Sequence, residues 1–87
     1  MYVILVYDCG EKRVAKMLRL CRKYLNWIQN SVFEGDISEV KLRELLSIAN
    51  SFLEIEEDSI IVFKSRDVAF MEKEIIGKEC CSTENFL

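Results

Sequence analysis

The chain has 87 residues, a net charge of −3 and 51% hydrophobic residues, so we expect one small domain with more apolar surface than a monomer of this size readily buries. Histidine is absent and only three residues are glycine, which excludes histidine-dependent nucleophilic catalysis and a glycine-rich phosphate loop. The four cysteines lack zinc-site spacing, and the adjacent pair Cys80 and Cys81 is typical of reduced thiols, so a cytoplasmic protein is expected.

The first predicted element is a β-strand at residues 2–8, which is apolar on both faces and ends at Asp8. This apolar run is too short for a membrane span or a signal peptide, so no membrane partner is expected. Helices of the same chain can cover one face of such a strand, but the sequence offers no third helix for the other face. We therefore predict a homodimer in which a second copy covers that other face.

A helix is predicted next, from Glu11 to about Leu25, by the spacing of its apolar residues. Residues 1–24 carry six basic and two acidic side chains, whereas residues 25–87 carry six basic and thirteen acidic ones. On this helix, four basic residues at steps of four, three and four form one stripe: Lys12, Lys16, Arg19 and Lys23, flanked by Arg13 and Arg22. Such a stripe is usually a solvated face, but the scarcity of acidic neighbours favours salt-dependent binding of nucleic acid.

The segment from Trp27 to Glu34 predicts β-structure, and the sequence leaves open whether it is one bulged strand or a minimal hairpin near Asn30 and Ser31. If it is one strand, period-two alternation places four residues on the same face: Trp27, Gln29, Ser31 and Phe33. We assign these four to a cleft or a dimer contact, which the pattern favours over stacking on bases. Gly35 is expected to end the strand with a turn.

The rest of the chain predicts, in order, a helix from Ser38 to about Phe52, an acidic connector at 54–58, a strand at 59–64, a short strand at 74–78 and a loose tail at 79–87. Strands and helices in this order are typical of a ferredoxin-like βαββαβ sandwich of the α+β class, here with an extra C-terminal strand. We expect residues 1–78 to form this single domain.

Asp8 is the residue most open to different interpretations. It ends an apolar strand, and a twofold axis nearby would bring two copies of its carboxylate together, which suits Mg²⁺. The spacing from Asp8 to Glu11 also fits a helix capping box, which the residues alone favour over a metal site. Cys9 has no base nearby, so we expect a packing residue rather than a reactive thiol.

The segment Gln29–Gly35 resembles the Q-x-S-V-F-E-G signature of the CRISPR-associated protein two family, and the Tyr7-Asp8 strand end and the turn Arg13-Val14-Ala15 also resemble that family. The resemblance covers nearly the whole chain. It implies a homodimer of ferredoxin-like protomers, whose last strand joins the partner's sheet. It also implies a subunit of spacer acquisition that bridges the CRISPR integrase and binds DNA, with magnesium-dependent endonuclease activity on RNA or double-stranded DNA described for many members.

Carried over to this sequence, the resemblance makes Asp8 the catalytic Mg²⁺ ligand, with Tyr7 supporting it, Arg13 contacting phosphate and Phe33 near the cleft. Trp27 stands where members often have a basic or small residue, so no arginine contact is expected there. The sequence leaves three hypotheses: a metal-dependent phosphodiesterase, a non-catalytic scaffold for the integrase and DNA, and a ferredoxin-like RNA-binding or toxin-type module outside CRISPR biology. Of these, the scaffold is the favoured physiological role.

Overall fold

A computed structural model describes residues 1–66 together with Glu74, Ile76 and Gly77. Its elements are β1 (Tyr2–Asp8), α1 (Glu11–Arg22), β2 (Asn26–Gln29), β3 (Val32–Asp36), α2 (Glu39–Phe52) and β4 (Ser59–Ser65). The strands form one sheet in the order β2-β3-β1-β4, and all neighbouring strands are antiparallel. This topology confirms the predicted ferredoxin-like α+β fold.

The central strand β1 divides its side chains between a covered face and an uncovered one. Val3, Leu5 and Tyr7 are buried against the helices. The same core takes Met17, Leu20 and Cys21 from α1 and Leu42, Leu45 and Ala49 from α2. Because both helices contribute to this one core, they lie on the same face of the sheet.

The opposite face of the sheet is uncovered by any helix of the described chain. We call it the open face and define it by five apolar residues that share one side of the paired strands: Ile4, Val6, Val32, Ile61 and Phe63. Ile61 and Phe63 are 54% and 55% exposed, although large apolar side chains usually lose most of their exposure on folding. The homodimer remains a prediction, and the open face is the surface on which we expect a second copy to pack.

The segment after α1 is a hairpin that also contains a bulge, so it has both features that the sequence left open. A two-residue loop of Asn30 and Ser31 joins β2 to β3, and Asn30 has a φ of 43°. Trp27 pairs with Phe33 and Gln29 pairs with Val32, with a register shift between the two pairs. Trp27 and Phe33 are directly paired and therefore share the helix-covered face, whereas the register shift pairs Gln29 with Val32 of the opposite face. The prediction of one shared face thus holds for the two aromatic residues and fails for Gln29.

Gly35 lies inside β3 rather than at its end, which corrects the expected turn. A Cβ added at Gly35 would meet Leu25 Cδ2 at 3.2 Å, so the absent side chain leaves room for Leu25 to enter the core. α2 begins where predicted, because the Ser38 hydroxyl accepts a hydrogen bond from the Lys41 backbone N–H at 3.1 Å.

The predicted strand at 74–78 and the predicted tail at 79–87 lie outside the continuous described region. Of their residues, Glu74, Ile76 and Gly77 are described, and none of these three belongs to a strand. Within the described residues, both helices are too short and too polar to cross a bilayer.

Candidate metal and nucleic-acid site

Asp8 is the last residue of β1, and its side chain is exposed. Since side chains alternate along a strand, Asp8 is on the same side as Ile4 and Val6, which is the side of the open face. It pairs with Ser59 of β4, the first residue of that strand. Within the described chain its carboxylate has no hydrogen-bond or ion-pair partner, so its oxygens are available to a ligand.

The capping-box interpretation of Asp8 was wrong. The N-cap of α1 is Gly10, and no side chain caps this helix end. Instead, the carboxylate of Asp58 accepts hydrogen bonds from the backbone N–H groups of Gly10 and Glu54, both at 2.8 Å. The loop after Asp8 is therefore held by a residue 50 positions further along the chain.

Arg13 completes this arrangement, which we call the Asp58 clamp: Gly10, Arg13, Glu54, Glu57 and Asp58. The Arg13 guanidinium donates to both oxygens of Asp58, at 2.5 and 3.0 Å, and to Glu57 at 2.9 Å. The Asp58 side chain is 1% exposed. The hydrogen bond from Arg13 holds the pKa of Asp58 well below its ordinary value, against the opposing effect of desolvation, and the two backbone N–H donors add to it.

The clamp changes the role expected of Arg13, which was phosphate contact. Its side chain is only 18% exposed and is paired with two carboxylates, so the geometry gives it a structural role and does not present it to a phosphate. Asp58 was not singled out from the sequence. The available signal was an aspartate that ends an acidic connector immediately before a buried strand.

Tyr7 and Phe33, which the resemblance placed at the site, are core residues. Phe33 is fully buried, and its ring stacks on that of Tyr7 with 6.0 Å between centroids. Burial raises the pKa of Tyr7 to about 12, so its hydroxyl stays protonated near neutral pH. Phe33 therefore does not line an open cleft, and Tyr7 packs in the core on the opposite face of the sheet from Asp8. The supporting role of Tyr7 toward Asp8 stays a prediction.

Cys9 is half-buried beside Asp8, and its pKa is raised, first by burial and then by the nearby Asp58 carboxylate. A raised pKa keeps the thiol protonated and unreactive. This agrees with the expected packing role of Cys9.

The basic stripe of α1 is on the surface. Its four members, Lys12, Lys16, Arg19 and Lys23, are all exposed and form no ion pair with any described residue. The Lys16 ammonium lies 4.6 Å from the ring centroid of Phe52. The stripe thus presents unpaired positive charge on one helix, as a phosphate-binding surface requires.

A complete metal site is absent from the described part of a single chain, since no group of three or more acidic, cysteine or histidine side chains is close enough to share an ion. Asp8 contributes one free carboxylate at the edge of the open face. Mg²⁺ usually takes one or two carboxylates and completes its octahedron with water and substrate oxygens. The donor chemistry therefore fits Mg²⁺ if a second copy supplies the second carboxylate.

Comparison with known proteins decides the family. The sequence profile described as "CRISPR associated protein Cas2" matches residues 1–73. The chain belongs to the Cas2 family. Among similar family members, a Dictyoglomus turgidum protein named CRISPR-associated endoribonuclease Cas2 is 44% identical over 87 residues, which is the full length of both chains. A protein of the same name from Fusobacterium nucleatum is 42% identical over 92 aligned residues, covering 100% of this chain and 87% of its own length.

Solved structures agree with this assignment. A crystal structure titled as Cas2 has a TM-score of 0.80 and 33% identity, and the alignment covers 95% of this chain and 93% of that one. Streptococcus pyogenes Cas2 at pH 6.5 has a TM-score of 0.73 and, at 22% identity, supports the fold alone. The resemblance read from the signature segment is thereby confirmed, and Cas2 membership favours a CRISPR-associated role over a module outside CRISPR biology.

Proposed function

We propose that this Cas2-family chain acts as a homodimer in which two Asp8 carboxylates hold Mg²⁺ for endonucleolytic cleavage of a phosphodiester. The observation that carries the proposal is the position of Asp8: exposed, unpartnered within the described chain, and on the same side of the sheet as the open face. A second copy packed on that face would bring two equivalent carboxylates toward a common axis. The names of the relatives as endoribonucleases support the same chemistry.

Each residue near this site would have a separate role. Asp8 supplies carboxylate oxygens, and the Asp58 clamp fixes the loop that follows it. Tyr7 and Phe33 form a rigid layer behind the end of β1. Bound Mg²⁺ supplies activation of water and neutralisation of charge at the phosphate.

A second role, as a scaffold in spacer acquisition, is favoured by the unpaired basic stripe of α1. We propose that this surface binds nucleic acid, while the dimer bridges the CRISPR integrase. DNA is the ligand expected for that role, and RNA is the substrate that the relatives' names favour for cleavage. A scaffold needs the stripe and the dimer, but not the Asp8 carboxylate, so the two roles can be separated by experiment.

The decisive substitution is Asp8→Asn, which keeps the size of the side chain and removes its charge. We expect it to abolish magnesium-dependent cleavage and leave dimer content unchanged. Asp36→Asn is the matched control, since Asp36 is also an exposed aspartate at the end of a strand. Cleavage by Asp8→Asn at the wild-type rate would contradict the metal-site proposal. Integration assays with the cognate integrase, run on the same samples, would show whether the scaffold role survives without Asp8.

A further inference from the structure

We propose that a cavity beside Asp8 receives one nucleobase of a single-stranded nucleic acid. This inference rests on the proposed function, because it describes how substrate would be held next to Asp8. The cavity, called here the base cavity, has a volume of about 350 Å³. The residues that matter for the argument are Val14 and Leu18 of α1, Trp27 of β2, and Asp8, Asn30 and Ser31 at its edge.

The walls of the base cavity suit a flat aromatic ligand. Val14, Leu18 and Trp27 are apolar, and the volume falls within the range of roughly 300–1,000 Å³ that is typical of small-molecule sites. The Trp27 indole is held in place, because its Nε1–H donates to the Asn30 carbonyl at 2.8 Å. The Arg22 guanidinium lies 5.5 Å from the Trp27 ring centroid. Aromatic side chains held in this way are the usual platforms on which unpaired bases stack.

The edge of the base cavity carries two polar side chains that have no hydrogen-bond partner among the described residues. The side chains of Asn30 and Ser31 form no hydrogen bond with any described residue. An amide and a hydroxyl supply both donors and acceptors, which is what the edge of a nucleobase requires. Both residues belong to the two-residue hairpin loop, whose backbone is fixed by the Tyr7 N–H donating to the Ser31 carbonyl at 3.1 Å.

Charge and position point to a nucleotide rather than another aromatic ligand. α1, which forms one wall, carries five basic side chains and one acidic side chain between Glu11 and Arg22. Arg13 is neutralised by Glu57 and Asp58, and the other four basic side chains form no ion pair with any described residue. Asp8 lies at the edge of the same cavity, so a base bound inside it would leave its phosphate near the proposed metal site. In a duplex the bases are stacked and paired, and removing one costs energy. The base cavity therefore favours a flexible single strand over double-stranded DNA.

The test uses Trp27, the only tryptophan in the chain, as a built-in reporter. Wild-type protein is titrated with hexauridylate in EDTA, so that binding is measured without magnesium-dependent cleavage, and tryptophan fluorescence is recorded. A hexamer of abasic ribose phosphate provides the same backbone without bases. We expect saturable quenching by hexauridylate and roughly tenfold weaker binding of the abasic strand. Equal affinity for the two strands, or no quenching at saturation, would overturn the proposal.

A pair of matched variants tests whether the preference for hexauridylate over the abasic strand arises in the base cavity. Val14 and Ile48 are both apolar helix residues with 41% exposure, but only Val14 lines the base cavity. Val14→Glu should remove the preference for hexauridylate over the abasic strand, whereas Ile48→Glu should keep it. Loss of the preference in both variants, or in neither, would contradict the assignment to this cavity. The comparison of the two strands on wild-type protein remains valid even if a variant misfolds.

Two further nucleic acids, hexathymidylate and a blunt duplex, show which kind of nucleic acid the cavity binds. Quenching by hexathymidylate as well as by hexauridylate would support base recognition irrespective of the sugar, and quenching by hexauridylate alone would support recognition of RNA. Stronger quenching by a blunt duplex than by either single strand would overturn the inference. Quenching without cleavage after Mg²⁺ is restored would refute the proposed nuclease and keep the base cavity. Cleavage without quenching would refute the base cavity and support the proposed nuclease.

Discussion

Asp58 is the single residue on which the local geometry near Asp8 depends most. Its buried carboxylate accepts from two backbone N–H groups and from Arg13, and so joins the start of α1 to the connector before β4. Paired carboxylates of this kind stabilise the fold only while they are ionised. The arrangement therefore predicts a specific dependence of stability on pH.

The pKa of Asp58 is lower in the folded chain than in the unfolded one, so its ionised form favours folding. Its contribution should be complete above the ordinary aspartate pKa of about 3.9 and should be lost progressively as the pH falls below that value. We expect Asp58→Asn to lower the midpoint of thermal unfolding near neutral pH and to reduce the further drop seen on acidification to about pH 3.

Asp36→Asn is the control, because Asp36 is exposed and pairs only with the N-terminal amine in the described chain. It should shift the midpoint much less than Asp58→Asn does. If Asp58→Asn unfolded at the wild-type temperature near neutral pH, the clamp would not be a stabilising feature. Because Gly10 lies two residues after Asp8, loss of the clamp should also disturb the position of Asp8.

At the scale of elements, α1 packs into the core with one side and exposes its basic stripe on the other. Met17, Leu20 and Cys21 are buried in the core, whereas the basic stripe is exposed and unpaired within the described residues. Each phosphate contact releases condensed counterions, so the number of contacts can be read from the salt dependence of binding. This separates a phosphate-binding stripe from an ordinary solvated face.

Replacing Lys16 and Arg19 with Gln should weaken binding of nucleic acid and reduce the slope of log affinity against log salt concentration by roughly 2. The double substitution of Lys41 and Arg43 with Gln removes the same charge from α2, where both residues pair with glutamates. That control should leave the slope nearly unchanged. Equal slopes for the two double variants would assign the stripe of α1 to solvation rather than to phosphate contact.

The elements differ in how well the sequence predicted them. β1, α2 and β4 agree closely with the prediction because each is determined by a local sequence pattern. The two strands are unbroken apolar runs, and the helix has a capping serine followed by apolar residues at helical spacing. The sequence does not distinguish a hairpin at Asn30 from one bulged strand, because strands of four and five residues with a bulge are too short for periodicity to resolve. The Asp58 clamp could not be predicted, since it joins the start of α1 to residues that are 44 to 48 positions further along the chain.

At the scale of the whole molecule, the open face is the feature that the described residues of one chain do not explain. Its apolar residues include Ile61 and Phe63, each more than half exposed, and large exposed apolar patches mark interaction surfaces. Since Asp8 is on the same side, covering this face with a second copy would serve stability and the proposed metal site together. Dimerisation and cleavage should therefore be lost together when the face is disrupted.

Phe63→Glu tests this link. A charge placed at the centre of a dry interface carries a large desolvation cost, so we expect the variant to be a folded monomer by analytical ultracentrifugation and to lose cleavage. Val40→Glu is the control, because Val40 is exposed on α2, on the other side of the sheet. Phe63→Glu that remained dimeric and active would show that the copies pack through another surface.

The most direct test of the shared site is a mixed dimer that carries Asp8→Asn in only one of its two chains. Differently tagged chains would be co-expressed, purified as the heterodimer and assayed for magnesium-dependent cleavage beside both homodimers. If the two carboxylates form one site, the mixed dimer should cleave far more slowly than half the wild-type rate. A rate close to half would mean that each chain works alone, which would contradict the account.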